Sequence, residues 1–241
     1  PSMAYRTVAL ATVVVALCAS FVLLHGDFSA IRAPVFTRLR FDPVWRRLMA
    51  LAALKGCVQV FQTTVPAMLV MRVAGGGENA LGLVQSAGAL LAAVLLYLIG
   101  RNTRPEHRLA IWAVALILNV VGAGYHAVGF NSVAVMVFIV CLLVAQPMLE
   151  WAYSPIQLLV LDRVAVREKD SEYAYLCGHE LGLYAGRLMG AGAFILVARA
   201  VSDATALRYV LALVAVVQLL SYPIASSLVR KLKVSGDDSA A

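Results

Sequence analysis

The chain has 241 residues, of which 62% are hydrophobic and 14% charged, with a formal net charge of +7. Soluble globular domains carry about 45–50% apolar and about 25% charged residues, so this composition excludes a soluble globular protein. Separate apolar runs of about 20 residues instead predict an all-α fold, a polytopic bundle of membrane helices. The alternating pattern of a transmembrane barrel is absent, and the basic residues lie mostly in connectors, which argues against nucleic acid as a partner.

Seven apolar spans follow one another along the chain. They cover residues 5–24, 46–71, 79–100, 108–128, 131–160, 173–198 and 205–229. Short turns on one side are marked by the run Gly75 to Gly77, by Gly129 with Asn131, and by Ser202-Asp203. Longer charged connectors at 25–45, 101–108 and 161–172 lie on the other side.

The distribution of basic residues predicts the orientation of the spans. Fourteen Lys and Arg fall in the connectors and tail of the second side, and four on the side of the short turns. The positive-inside rule then places the N-terminus outside and the C-terminus in the cytoplasm. We expect an integral membrane protein of the bacterial inner membrane or of a derived intracellular membrane.

The beginning of the chain allows two interpretations. The chain starts at Pro1 rather than at a methionine, and seven spans behind a very short external N-terminus favour a protein that extends further upstream. Alternatively, Met3 is the native start and residues 3–24 form a signal peptide or anchor. No small-residue cleavage site follows, and such an anchor would export the basic connector, so the first interpretation is preferred.

The second span carries a polar stripe. Lys55, Gln59 and Gln62 fall on one helical face at i, i+4 and i+7, with Thr63 beside them. Lys55 lies about 12 Å beyond Arg47 at 1.5 Å per residue. Its ammonium group either extends back to the cytoplasmic surface or lines an internal cavity, and the two interpretations have equal weight.

The fifth span carries a second polar stripe. Its four polar residues are Gln146, Glu150, Tyr153 and Gln157, flanked by Pro147 and Pro155. Prolines free backbone carbonyls that a cavity can use for solutes or ions. Glu150 is predicted to be either a proton carrier or one half of an ion pair, and the structural alternative pairs it with Lys55 or Arg187 to hold helices together.

The sixth span holds ionisable residues inside an apolar run. An ionisable group at the bilayer centre costs about 2.5–3.5 kcal/mol on insertion scales, so it normally faces protein or a wet cavity. Glu180, Tyr184 and Arg187 share one face. Glu180 and Arg187 are interpreted either as a structural or gating charge pair or as substrate contacts. A neighbouring stripe repeats glycine every fourth residue, which permits close helix packing: Gly178, Gly182, Gly186 and Gly190.

Several single residues have simpler interpretations. Asn119 is predicted to form an interhelical hydrogen bond, and His126 to be solvated near an outer loop. Trp45 and Trp112 are predicted to anchor the chain near the cytoplasmic interface. His179 lies near the cytoplasmic end of its span, where a lone histidine is weak support for a proton relay. The four cysteines show no metal-ligand or disulfide spacing and are interpreted as packing residues: Cys18, Cys57, Cys141 and Cys177.

Spans two to four and five to seven form two triplets with a shared plan and opposite topology, as in the inverted repeats of secondary transporters. This layout resembles the C-terminal half of a major facilitator superfamily transporter, preceded by the last helix of its N-terminal half. The cytoplasmic loop pattern of the family falls on Gly100 to Arg108, where Gly100 and Arg108 fit, while Arg104 and His107 replace its Asp and second Gly. The stretch Glu180 to Arg187 also looks like a Glu/Arg pair of some prokaryotic members.

The resemblance implies a domain plan and a function. Residues 1–24 would be the last helix of an N-terminal half, 25–45 a basic cytoplasmic linker, 46–230 a six-helix transporter half with a 3+3 inverted repeat, and 231–241 a cytoplasmic tail. Spans two and five would line the central cavity, and spans three and six would pack between the halves. The N-terminal half, a small-molecule or ion substrate and the lipid bilayer are the implied partners.

The sequence thus predicts a secondary transporter that moves a small solute by alternating access, with proton coupling as one option. The substrate or coupling residues expected are Lys55, Gln59, Gln62, Gln146, Glu150, Tyr153, Glu180, Tyr184 and Arg187. The alternative is a membrane scaffold or sensor whose polar pairs only join helices. A lipid enzyme is disfavoured because no His/Asp/Glu cluster lies at the interface, and no cofactor or metal motif is present.

Overall fold

The computed structural model describes residues 2–25, 43–73, 75, 77–168 and 172–237. Within these ranges the chain is helical and has no strand, which confirms the all-α prediction. The helices are α1 (Ser2–His25), α2 (Pro43–Arg72), α3 (Glu78–Asn102), α4 (Arg108–Gly129), α5 (Ser132–Glu168), α6 (Glu172–Ala200), α7 (Asp203–Thr205), α8 (Leu211–Gln218) and α9 (Ser221–Asp237). Among the described residues, six helical segments are long and apolar enough to cross a membrane, with α7 to α9 together forming the sixth.

Residues 1–35 form a compact unit separate from residues 36–241. The first unit contains α1, in which Leu10–Val22 is recognised as an apolar helical stretch shorter than the six others. The first predicted span therefore stays a prediction. The basic linker predicted at 25–45 lies largely outside the described residues, and α2 begins within it at Pro43.

Helix boundaries differ from the sequence prediction at two charged segments. The predicted connector at 161–172 is mostly helical, because α5 continues to Glu168, and α9 continues into the predicted tail as far as Asp237. Charged residues suggested these two boundaries. Charge sets where a helix leaves an apolar environment, whereas Pro and Gly interrupt the helix itself.

The predicted short turns are present. Gly75 has a φ of +67°, and Phe130 ends α4 in the left-handed region with a φ of 42°. The side-chain Oδ1 of Asn131 accepts a hydrogen bond from the backbone N–H of Ala134 at 2.9 Å. Ser202 Oγ likewise accepts from the N–H of Thr205 at 3.1 Å and caps α7. These caps satisfy backbone donors that a helix start leaves open.

The last segment of membrane-crossing length is a broken helix. A π-helical stretch, Ala206–Val210, follows α7, and the chain then turns at Leu219 and Leu220 between α8 and α9. At this turn the N–H groups of Leu219, Leu220 and Tyr222 bond to carbonyls three residues earlier. Pro223 explains the break, since it has no N–H and its ring displaces the carbonyl four residues before it. The break leaves Gln218 and Ser221 on either side of an irregular turn.

Two apolar clusters occupy opposite ends of the helix bundle. One contains Val65, Leu69 and Val135, and the other contains Trp45 and Val160. Between them the membrane-length helices carry polar residues near their midpoints, and we call these residues the polar layer: Lys55, Gln59, Gln62, Asn119, Gln146, Glu150, Arg187, Gln218 and Ser221. Polar groups at this depth require internal partners or a wet cavity.

Glycines fix the contact between α2 and α6. A Cβ at Gly186 would overlap the carbonyl oxygen of Ala53, and one at Gly190 would lie 2.5 Å from the carbonyl oxygen of Cys57. The approach is reciprocal, because a Cβ at Gly56 would overlap the carbonyl oxygen of Leu183. The glycine stripe predicted to pack between transporter halves is therefore already covered by α2. The small-residue series of α3 that was given the same role remains exposed: Gly82, Ser86, Ala89 and Ala93.

Candidate functional site

Seven of the nine residues of the polar layer line a cavity of about 340 Å³, and Asn119 and Arg187 lie behind its wall. The wall is formed by α2, α3, α4, α5 and the break between α8 and α9. Six of the nine predicted site residues line it: Lys55, Gln59, Gln62, Gln146, Glu150 and Tyr153. Leu51, Ala92, Leu96 and Leu149 supply apolar wall, so the cavity has the mixture of apolar surface and few polar groups that is typical of small-molecule sites.

An ion pair joins the two predicted polar stripes. Lys55 Nζ lies 2.7 Å from Glu150 Oε2 and donates a hydrogen bond to Oε1 at 2.8 Å. The same ammonium group lies 3.9 Å from the centroid of the Tyr153 ring, within the range of a cation–π contact. The Lys55 side chain is 23% exposed and that of Glu150 57%. Lys55 therefore lines the cavity and pairs with Glu150, the partner named in the structural alternative.

Tyr153 connects the ion pair to α6. Its hydroxyl group is hydrogen-bonded to His179 Nε2, and Gln157 Nε2 lies 3.3 Å from the other ring nitrogen of His179. His179 is buried, and its Nδ1 lies 3.6 Å from Glu180 Oε1. A continuous series of contacts therefore runs from Lys55 through Tyr153 and His179 to Glu180.

Arg187 reaches the cavity through a neighbour rather than directly. Its Nε and Nη2 both donate to Gln59 Oε1, at 3.1 and 2.9 Å. Glu180 and Arg187 form no ion pair, so the predicted charge pair between them is wrong. Seven helical residues separate them by about 10.5 Å along the axis, which is too far for a direct contact. Glu180 and Tyr184 are exposed and do not line the cavity.

The cavity wall also contains Trp112, Gln218 and Ser221, which were not among the predicted site residues. Trp112 is buried and its indole Nε1 donates to Ser221 Oγ at 3.2 Å, while Asn119 Nδ2 donates to Gln218 Oε1 at 3.1 Å. The second contact confirms the interhelical hydrogen bond predicted for Asn119. Gln218 and Ser221 lie beside the break before Pro223. The sequence signal for this part of the site was a glutamine and a proline inside an apolar run of about 20 residues.

Two predictions about aromatic residues and one about a histidine were wrong. Trp45 and Trp112 are buried among helices rather than exposed on the surface of the bundle, where an anchor would lie. The Trp45 ring meets the Tyr175 ring edge-on at 5.0 Å. His126 is 0% exposed, and its Nε2 lies 3.2 Å from the carbonyl oxygen of Leu207. Each of these side chains fills space between spans, a role that position along one helix does not reveal.

The groups of the cavity wall can bind a small molecule. The described residues contain no group of three or more His, Cys, Asp or Glu placed to hold a metal ion. The four cysteines are free. What the cavity offers is an ion pair, several amides and hydroxyl groups, and apolar wall at the middle of the membrane-length helices.

Comparison of the chain with protein-family models, with curated proteins and with solved structures gives no match. In the part of the chain that the structure describes, the fold defines a helical bundle with six segments of membrane-crossing length, which is consistent with an integral membrane protein.

Proposed function

We propose that the protein is a secondary transporter of the major facilitator type, which moves a small solute across the membrane by alternating access. The observation that carries the proposal is the position of the ion pair between Lys55 and Glu150. It lies in the wall of a cavity of about 340 Å³, between two apolar clusters, at mid-depth of the helices. Intramembrane ionisable groups that face a cavity mark solute or ion pathways.

The packing of the helices supports an inverted repeat. Each triplet places its long, polar helix against the helices of the other triplet: α2 packs on α5, α6, α8 and α9, and α5 packs on α2, α3 and α4. In secondary transporters, two triplets of helices with opposite topology pack against each other, and the substrate site lies at the interface between them. The cavity lies between α2 and α5, where the two triplets meet.

Prolines inside two continuous helices, together with one broken helix, support the same function. Pro66 in α2 and Pro147 in α5 leave the carbonyls of Gln62 and Leu143 without a helical donor, and α8 and α9 are separated by a break. Irregular backbone at membrane depth is tolerated where it lies in protein or lines a cavity. Gln62, Pro147, Gln218 and Ser221 all line this cavity.

We further propose an orientation and a partner. The basic connectors favour an N-terminus outside and a C-terminus in the cytoplasm. A second set of helices covers the exposed faces of α3 and α6. Glu150 is the candidate proton carrier, because it is the carboxylate in the cavity wall and its partner Lys55 can be released when it is protonated.

Solute flux into proteoliposomes tests the transport proposal. With a panel of radiolabelled metabolites, at least one solute should enter faster than into protein-free vesicles. Glu150→Gln and Arg187→Ala should each reduce that flux at least about tenfold, since a hydrogen bond to a charged group contributes about 1.5–3 kcal/mol and 1.4 kcal/mol is a factor of ten. Asp162→Asn is the matched control, because Asp162 is an exposed carboxylate of α5 outside the cavity.

The scaffold alternative is favoured by one observation. The ion pair and the contacts of Arg187 with Gln59 and of Tyr153 with His179 each join two different helices, as structural cross-links do. If both variants lose folded protein while no solute of the panel is transported by the wild type, the scaffold interpretation replaces the transporter.

A further inference from the structure

The hydrogen-bonding groups of the cavity wall are biased toward donors. Arginine has only N–H donors, so the oxygen of Gln59 must be the atom that meets Arg187, at 3.1 and 2.9 Å. The amide N–H groups of Gln59 therefore remain for a ligand. The same reasoning applies to Ser221, whose oxygen accepts from the Trp112 indole, itself a pure donor, at 3.2 Å. The hydroxyl proton of Ser221 is then free to be donated.

Two further glutamines extend this bias. Gln218 Oε1 accepts from Asn119, which leaves its N–H groups. Gln62 Nε2 is buried and has no hydrogen-bond partner among the described residues. A buried donor without a partner is destabilising, and a ligand acceptor would satisfy it. Gln146 offers both a donor and an acceptor, and the Thr63 hydroxyl donates to backbone carbonyls and keeps an accepting oxygen.

Charge points in the same direction. Two charged groups line the cavity, the cation Lys55 and the carboxylate Glu150. A third, the cation Arg187, bonds to Gln59 in the cavity wall. Both oxygens of Glu150 are directed at Lys55, and Arg187 has no carboxylate partner among the described residues. Among these three groups one positive charge is left without a counter-charge, and it favours an anion.

We infer that the cavity binds a small monoanionic carboxylate, held by the N–H and O–H donors of Gln59, Gln218 and Ser221 beside Lys55. This inference rests on the proposed transport function, since it names the class of solute. The bound carboxylate competes with Glu150 for the ammonium group of Lys55. Neutralising Glu150 therefore leaves carboxylate binding intact or tightens it, even where flux is lost.

Equilibrium binding to the purified full chain tests the inference without measuring flux. The probes are sodium benzoate and sodium lactate, each compared with its neutral isostere, benzamide or lactamide, and the readouts are Trp fluorescence and the Tm. At least one carboxylate should raise the Tm at millimolar concentration, and its amide should not. Equal binding of acid and amide, preference for the amides, or no binding by any probe would overturn the inference.

Gln59→Glu is the decisive variant. It keeps an oxygen for Arg187 but replaces the free N–H donor by an acceptor and cancels the excess positive charge. The Kd for the carboxylate should rise at least about tenfold, whereas Asn102→Asp, the same change of charge at the exposed end of α3, should leave it unchanged. An unaltered Kd in Gln59→Glu would contradict the assignment. If this variant does not fold, the wild-type comparison of acid with amide still decides the question.

The transport and solute-class proposals can fail separately. Flux of a neutral or cationic solute that depends on Glu150 would refute the carboxylate assignment and keep the transporter. Carboxylate binding that Gln59→Glu abolishes, without flux of any solute, would refute transport and keep the binding chemistry.

Discussion

A Gly186→Ala variant is expected to lose the close packing of α2 on α6. The added Cβ would overlap the carbonyl oxygen of Ala53 and lie 2.8 Å from its carbonyl carbon. Backbone atoms cannot rotate away as the end of a side chain can, so the two helices must separate. Overpacking typically costs about 1–3 kcal/mol, and a backbone obstacle places this variant at the upper end. Thermal unfolding in detergent, followed by light scattering, measures the loss.

Gly192→Ala is the matched control for this prediction. Gly192 lies on the same helix, and a Cβ there would meet no atom within 4 Å. Glycine to alanine in an open helical position removes a conformational cost of about 0.5–1 kcal/mol, so the control should be as stable as the wild type or slightly more so. Equal stability of the two variants would show that α2 and α6 do not approach through Gly186.

Neutralising the ion pair is expected to affect flux far more than stability. The Glu150 side chain is 57% exposed, so screening limits the stability lost in Lys55→Gln or Glu150→Gln to the order of 1 kcal/mol. The same changes remove the ion pair from the cavity wall and should lower flux at least about tenfold. Both quantities are measured on one preparation, by thermal unfolding and by proteoliposome uptake.

The double variant Lys55→Gln/Glu150→Gln separates function from architecture. It leaves no unpaired charge, so its stability should return close to the wild-type value, because the two amides can hydrogen-bond to each other. Its flux should stay low, since neither the cation nor the titratable carboxylate is restored. Recovery of flux together with stability would mean that the pair only holds α2 and α5 together.

The sequence predicted the parts of the site that repeat along a single helix. Lys55, Gln59 and Gln62 occupy one face of α2, and Gln146, Glu150 and Tyr153 one face of α5, and both sets line the cavity. A polar stripe inside an apolar run can be recognised without a structure because lipid does not tolerate it. The number and order of the membrane-length helices from α2 onward follow from the same contrast.

Contacts between helices could not be predicted from one sequence. The pairing of Arg187 with Gln59, rather than with Glu180 on its own helix, depends on the approach of α6 to α2 through glycine. Trp112 has the amphipathic side chain of an interfacial anchor. Its hydrogen-bond partner, Ser221, is 109 residues further along the chain, so the contact could not be read from the sequence. His126 was assigned to solvent because it lies near a turn, whereas the last span packs over it.

Cysteine labelling at Ala92 and Val94 tests most directly whether the cavity is a path across the membrane. Both residues lie on α3, about 3 Å apart in depth, but only Ala92 lines the cavity, and Val94 is exposed on the helix surface. In a background without Cys18, Cys57, Cys141 and Cys177, alternating access predicts that Ala92→Cys reacts with a membrane-impermeant maleimide in both right-side-out and inverted vesicles. Val94→Cys should react in neither. Labelling of Ala92→Cys from one side only, or from neither, would contradict the transporter.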